Sequence, residues 1–166
     1  MNILIIRHGE AHSHADSDFQ RELTARGVKE VTSAGECLRS QSLRSEYEKS
    51  GYVWVSPYIR AQQTADHLLS AANLTTVPRE ESDAITPDCS PEDVVDKIQQ
   101  SKMTNLILIS HQPLVSALVG LLVSSQVFSG PPMSPGSMAL LETDTVLAGC
   151  CTLKWLRHAP TYNRSE

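Results

Sequence analysis

Arg7, His8, Gly9 and Glu10 follow directly on an apolar run at residues 2–6, with His12 and His14 close behind. A guanidinium, an imidazole and a glycine at the exit of a strand-like segment fit metal ligation, phosphate chemistry or a plain turn. Two further apolar runs end in a similar way. Residues 52–55 lead into Ser56, Pro57 and then Arg60, and residues 105–109 lead into Ser110 and His111. In an open parallel sheet, ligands bind beyond the carboxyl ends of the strands. If the three runs are parallel neighbours, Arg7, His8, Arg60 and His111 meet on one rim. Helices that begin there add N-terminal amides, which favour negative charge. The pattern calls for an anion.

Guanidinium groups offer paired donors that match the oxygens of a phosphoryl group. Two arginines, a histidine and helix amides can surround three non-bridging oxygens and stabilise charge in the transition state. The remaining histidine is then free for covalent work. A neutral imidazole nitrogen attacks phosphorus, and surrounding cations depress its pKa and keep it neutral near pH 7. Gly9 lets the backbone turn closely beneath the ring.

The other residues with chemical potential read more plainly. His12 and His14 complete an H-x-x-x-H-x-H string with His8, but they lie in a polar loop of Ser, Asp and Ala. Zinc ligands need a rigid element and a second shell, so solvated loop histidines are expected here and no metal. His67 belongs on an exposed helix face, and Trp54 and Trp155 on core or half-buried strands. Glu10 either caps a turn or orients a pocket residue. Thr64 lies one turn beyond Arg60 and can hold it in place, although packing explains it equally well.

The elements that must carry these residues alternate. Short apolar strands at 2–6, 52–55 and 105–109 are separated by helices. The first helix has Thr24 as N-cap, with Val28, Val31 and Leu38 on one face; the second has Ser56 as cap and Pro57 at its first position. Ser90 and Pro91 open a third, and residues 113–123 form one that is apolar nearly all round. Residues 137–143 and 151–157 pair as an antiparallel hairpin. This is the alternation of a three-layer α/β/α sandwich around a mostly parallel sheet. The 166 residues suit a single domain over 1–158 with a polar tail at 159–166.

Composition limits the function classes. A net charge of −5 argues against nucleic-acid binding. The longest apolar stretch, 114–123, is about half of what crosses a bilayer. The start carries no basic region typical of a signal peptide. Cys37, Cys89, Cys150 and Cys151 lack CxxC spacing, and the adjacent pair bonds only with strain. Free thiols and a cytoplasmic location are expected.

"RHGE" after an N-terminal strand, "SPYIRAQQTA" in the middle and "SHQP" before an apolar helix resemble the histidine phosphatase superfamily. "RELTARG" at 21–27 is similar to its LTxxG segment. The short length, Arg21 before "LT" and "SHQPLVSALV" resemble the SixA phosphohistidine phosphatase branch. The resemblance implies that His8 is the phosphorylated nucleophile. It makes Arg7, Arg60 and His111 the phosphate pocket, with Arg21 as an additional pocket residue. It further implies a two-step reaction through a phosphohistidine enzyme, without metal or organic cofactor.

Substrate class turns on the leaving group. An alkoxide needs a proton from a positioned acid, whereas transfer between two imidazoles is nearly symmetric and needs it less. The stretch at 78–93 is too short for a lid; among its carboxylates, Asp83 is the candidate acid. An open groove suits phosphohistidine displayed on a phosphotransfer protein. A small-molecule phosphomonoesterase or mutase of the same superfamily is the alternative. A non-catalytic phosphate-binding module would have no need of His8.

Overall fold

A computed structural model describes residues 1–162. Six strands form one sheet in the order β3-β2-β4-β1-β5-β6: β1 Asn2–Arg7, β2 Gly51–Val55, β3 Arg79–Glu81, β4 Asn105–Ser110, β5 Met138–Glu142 and β6 Thr152–Arg157. Strands β1 to β4 are mutually parallel, and β5 and β6 add on antiparallel. The α/β sandwich and the final hairpin expected from sequence are both present. The edge strand β3 is three exposed charged residues long, which discourages pairing with another chain.

Alternation along each strand splits the core in two. Ile3, Ile5, Trp54, Leu106 and Leu108 face helices α4 (Pro91–Ser101) and α5 (Leu114–Ser124). Leu4, Ile6, Val53, Val55, Ile107 and Ile109 face α1 (Ala25–Arg39), α2 (Arg44–Ser50) and α3 (Ile59–Ala72). Each strand residue in these sets is at most 1% exposed. A sheet so fully covered is held rigidly, and its carboxyl rim becomes a fixed platform.

Helix starts follow their caps in two of three cases. Thr24 accepts from the Gly27 amide at 3.0 Å, and Ser90 accepts from the Asp93 amide at 3.3 Å with Pro91 behind it. The third expectation needs correction: α3 begins at Ile59, and Ser56 is a buried residue of the rim, not its cap. The tail boundary also moves. Within the expected 159–166 tail, Tyr162 is 2% exposed and donates its hydroxyl to the Gly136 carbonyl at 2.8 Å. Residues 163–166 lie outside the described residues.

Candidate active site

Strand register assembles the rim. Arg7 pairs with Ser110 across β1 and β4, and Val55 pairs with Ile109 across β2 and β4. The next residues on each strand, His8, Ser56 and His111, therefore emerge side by side. Backbone bonds from His8 N to Ser110 O (3.0 Å) and from Ser56 N to Ile109 O (3.1 Å) extend the ladder by one step. The His8 and His111 rings lie 5.0 Å apart, centre to centre.

The tautomer of His8 follows from its partner. Its Nδ1 lies 2.7 Å from the Gly9 carbonyl oxygen, which can only accept. The proton therefore sits on Nδ1, and the lone pair on Nε2 faces Arg60, whose Nε donates to it at 3.2 Å. Burial depresses the His8 pKa to about 3; the Gly9 bond opposes this, and Arg60, Arg7 and Arg21 reinforce it. For His111 burial again leads, followed by His8 and Arg60, and the value falls to about 2. The neutrality expected from neighbouring cations rests more on exclusion of water.

His111 Nε2 lies 2.7 Å from Ser56 Oγ, while its Nδ1 is buried without a hydrogen-bond partner. Arg7 anchors one terminal nitrogen on the Met133 carbonyl at 2.7 Å, and its buried Nε is likewise unpartnered. Buried nitrogens without partners are rare, and both of these belong to residues of the rim.

Asp18, unremarked in the sequence, completes the constellation. Its carboxylate takes Arg60 at 3.0 Å and Arg21 at 2.8 Å, and its carbonyl takes a second Arg60 nitrogen at 2.5 Å. Burial acts to raise the Asp18 pKa, but the bonds from Arg21 and Arg60 outweigh it and hold the carboxyl below the usual range. Arg21 reaches the site through this bridge, with its Nε on the His12 carbonyl at 2.5 Å.

Comparison with known proteins now bears on this rim. The family model described as histidine phosphatase superfamily (branch 1) matches residues 3–83. The phosphohistidine phosphatase SixA homolog of Haemophilus influenzae is 34% identical over 123 residues, covering 72% of this chain and 75% of that protein. Phosphohistidine phosphatase SixA of Escherichia coli is 32% identical over 162 residues, covering 93% of this chain and 92% of that protein. The chain belongs to the histidine phosphatase superfamily. It falls in the SixA branch. A solved structure of the protein histidine phosphatase SixA complexed with tungstate superposes with a TM-score of 0.80 at 28% identity, covering 95% of this chain and 97% of that one.

Two glycines explain how this phosphatase-family chain brings its loop to the rim. A Cβ on Gly9 would lie 2.8 Å from the Gly27 carbonyl oxygen, and one on Gly27 would lie 2.0 Å from that of Glu10. The strand exit and the start of α1 thus abut backbone to backbone, which only glycine permits. Thr64 ties the same turn to α3: its hydroxyl accepts from the Gly9 amide at 3.1 Å and donates to the Arg60 carbonyl at 2.7 Å.

Several candidates lie elsewhere. Glu10 bonds Arg26 at 3.3 Å and accepts from the Thr24 amide, a structural role. His12, His14 and His67 are exposed, and Trp54 is buried in the core beneath Lys97. Asp83 is exposed, and its carboxylate makes no hydrogen bond or ion pair with the rim residues among the described residues. Ser56 and Asp18 were missed as site residues. The place of Ser56 after β2 was a usable signal; Asp18 in its polar loop gave none.

The depressed histidines give a direct expectation. In imidazole NMR, His8 and His111 should stay neutral from pH 7 down to about 4; titration of either near 6.5 would contradict this environment. The unfolded chain takes up these protons near pH 6.5. Folding stability should therefore decline as pH drops below that value, and keep declining to about pH 3 for the His8 contribution and about pH 2 for that of His111.

Proposed function

We propose that the chain hydrolyses phosphohistidine on a phosphotransfer protein, with His8 as the transient carrier of the phosphoryl group. The observation that carries this is the unprotonated His8 Nε2, which takes a single bond from Arg60 Nε and has Arg60, Arg7 and Arg21 around it. Arg7, Arg21, Arg60 and His111 bind the phosphoryl oxygens. Three guanidiniums against the Asp18 carboxylate leave about two positive charges, which match the roughly two negative charges of a phosphoryl dianion. With Ser56 donating to His111 Nε2, the buried Nδ1 carries a proton and offers it to an oxygen.

His8 Nε2 forms a bond to phosphorus as the P–N bond to the substrate imidazole breaks, and that imidazole takes up a proton from solvent. Water then attacks phosphorus, the bond from phosphorus to His8 Nε2 breaks, the proton lost by the water returns to solvent, and phosphate leaves neutral His8 behind. Arg60 Nε turns from the lone pair to a phosphoryl oxygen during the first step. The reading draws further support from an imidazole leaving group that needs little acid assistance, in a site whose carboxylate, Asp18, is committed to two arginines. The names of the SixA relatives point the same way. One domain, cytoplasmic in location and without a cofactor, is part of the proposal.

Parallel assays with a phosphohistidine-bearing domain, para-nitrophenyl phosphate and phosphoglycerate test it. Turnover is expected on the first at least about tenfold above the esters. Preference for the esters would assign a small-molecule phosphomonoesterase. Binding without release of phosphate would leave a binding module.

A further inference from the structure

Four aromatic rings stand in contact from the floor of the cup to solvent. His8 lies 5.0 Å from His111, His111 lies 4.8 Å from Tyr58 and Tyr58 lies 5.2 Å from Phe19, all between ring centres. Exposure rises from His111 outward: both histidines are buried, Tyr58 is half-buried and Phe19 is 45% exposed. A single exposed apolar side chain needs no explanation. Phe19 differs because its position is fixed. Its neighbour Asp18 is bound through both carboxylate and carbonyl to Arg60 and Arg21, and Arg60 also stacks 4.7 Å over the Tyr58 ring. The residues that grip the anion thus also hold an aromatic face at the mouth of the cup.

The geometry points to Phe19, backed by Tyr58, as the surface against which the imidazole of a phosphohistidine substrate packs while its phosphoryl group is in the cup. In-line attack from His8 puts the departing ring on the side away from His8, toward the mouth, where the ring series ends. Tilted aromatic pairs at these separations are favourable beyond their burial. A phosphorylated amine without a ring gains nothing from Phe19. Phe19 is therefore a specificity-determining residue, on the phosphohistidine reading above.

The test compares kcat/KM for N-phosphohistidine with that for phosphoramidate, which carries the same P–N bond and no ring. In Phe19→Ala the ratio is expected to fall about three- to tenfold. Phe19→Trp should retain it, and Phe19→Leu should lose most of it, separating the ring from apolar bulk. An unchanged ratio in Phe19→Ala, or equal retention by Leu, overturns the role of Phe19. Wild-type protein that fails to turn over phosphohistidine overturns the underlying reading as well, so the wild-type rate distinguishes the two failures.

Discussion

His8→Ala should lower phosphohistidine turnover by at least about a thousandfold while leaving the protein folded. The size follows from the role. Nε2 is the atom that bonds phosphorus, and no second uncommitted base stands beside it: His111 Nε2 is engaged with Ser56, and its Nδ1 bears the proton in the proposed state. Without the imidazole, the guanidinium cup still binds phosphate, so KM should change far less than kcat. The fold should survive because His8 follows the last residue of β1, whose ladder bonds to β4 are backbone bonds. Rapid-quench turnover together with thermal melting measures both halves. An active, folded His8→Ala protein would remove covalent catalysis.

Arg60→Ala should cost about a hundred- to a thousandfold in kcat/KM, the range for losing one preorganised donor to a charged transition state. Arg60 is 4% exposed, and its planar fork is engaged on three sides: Nε on His8, one terminal nitrogen on the Asp18 carbonyl and the other on the Asp18 carboxylate. Lysine supplies a point charge in place of that fork, so Arg60→Lys should recover little. A second readout separates this from simple misfolding. Burial, ahead of Arg60, holds His8 neutral, so the His8 imidazole of a folded Arg60→Ala protein should still resist protonation well below pH 6.5. Near-wild-type kcat/KM in Arg60→Lys would mean that charge alone suffices and that the fork geometry has no part in catalysis.

What the sequence disclosed was whatever depends on local periodicity and strand ends. Short all-apolar runs disclosed three of the four parallel strands, β1, β2 and β4 but not the charged β3, and the residues just beyond two of them, His8 and His111, meet because β1 and β4 are adjacent in register. Helical spacing left Thr64 open between a support for Arg60 and plain packing; its hydroxyl bonds the Arg60 backbone carbonyl, and its second bond, to the Gly9 amide, has no signal in the sequence. The helix signal at Ser56-Pro57 misled because a serine before proline caps many helices, whereas here the hydroxyl serves a histidine 55 positions away. Asp18 and Phe19 stayed hidden for a related reason. Their polar loop has no period to read, and its path is set by contacts with Arg60 and Tyr58, 42 and 39 residues later in the chain. Tyr162 falls in the polar stretch 159–166, where no apolar period marks it, yet its ring fills the core against β5 and α1.

The most direct measurement is the location of the phosphoryl group during turnover. Rapid acid-free quenching, proteolysis and mass spectrometry of the peptide spanning residues 5–14, with phosphorus–nitrogen NMR coupling of labelled protein, would place it. Phosphorus bonded to Nε2 of His8, appearing and decaying at rates compatible with turnover, is the expected result. Turnover with no phosphoenzyme, or a phosphoryl group on His111 with His8 unmodified, would contradict it.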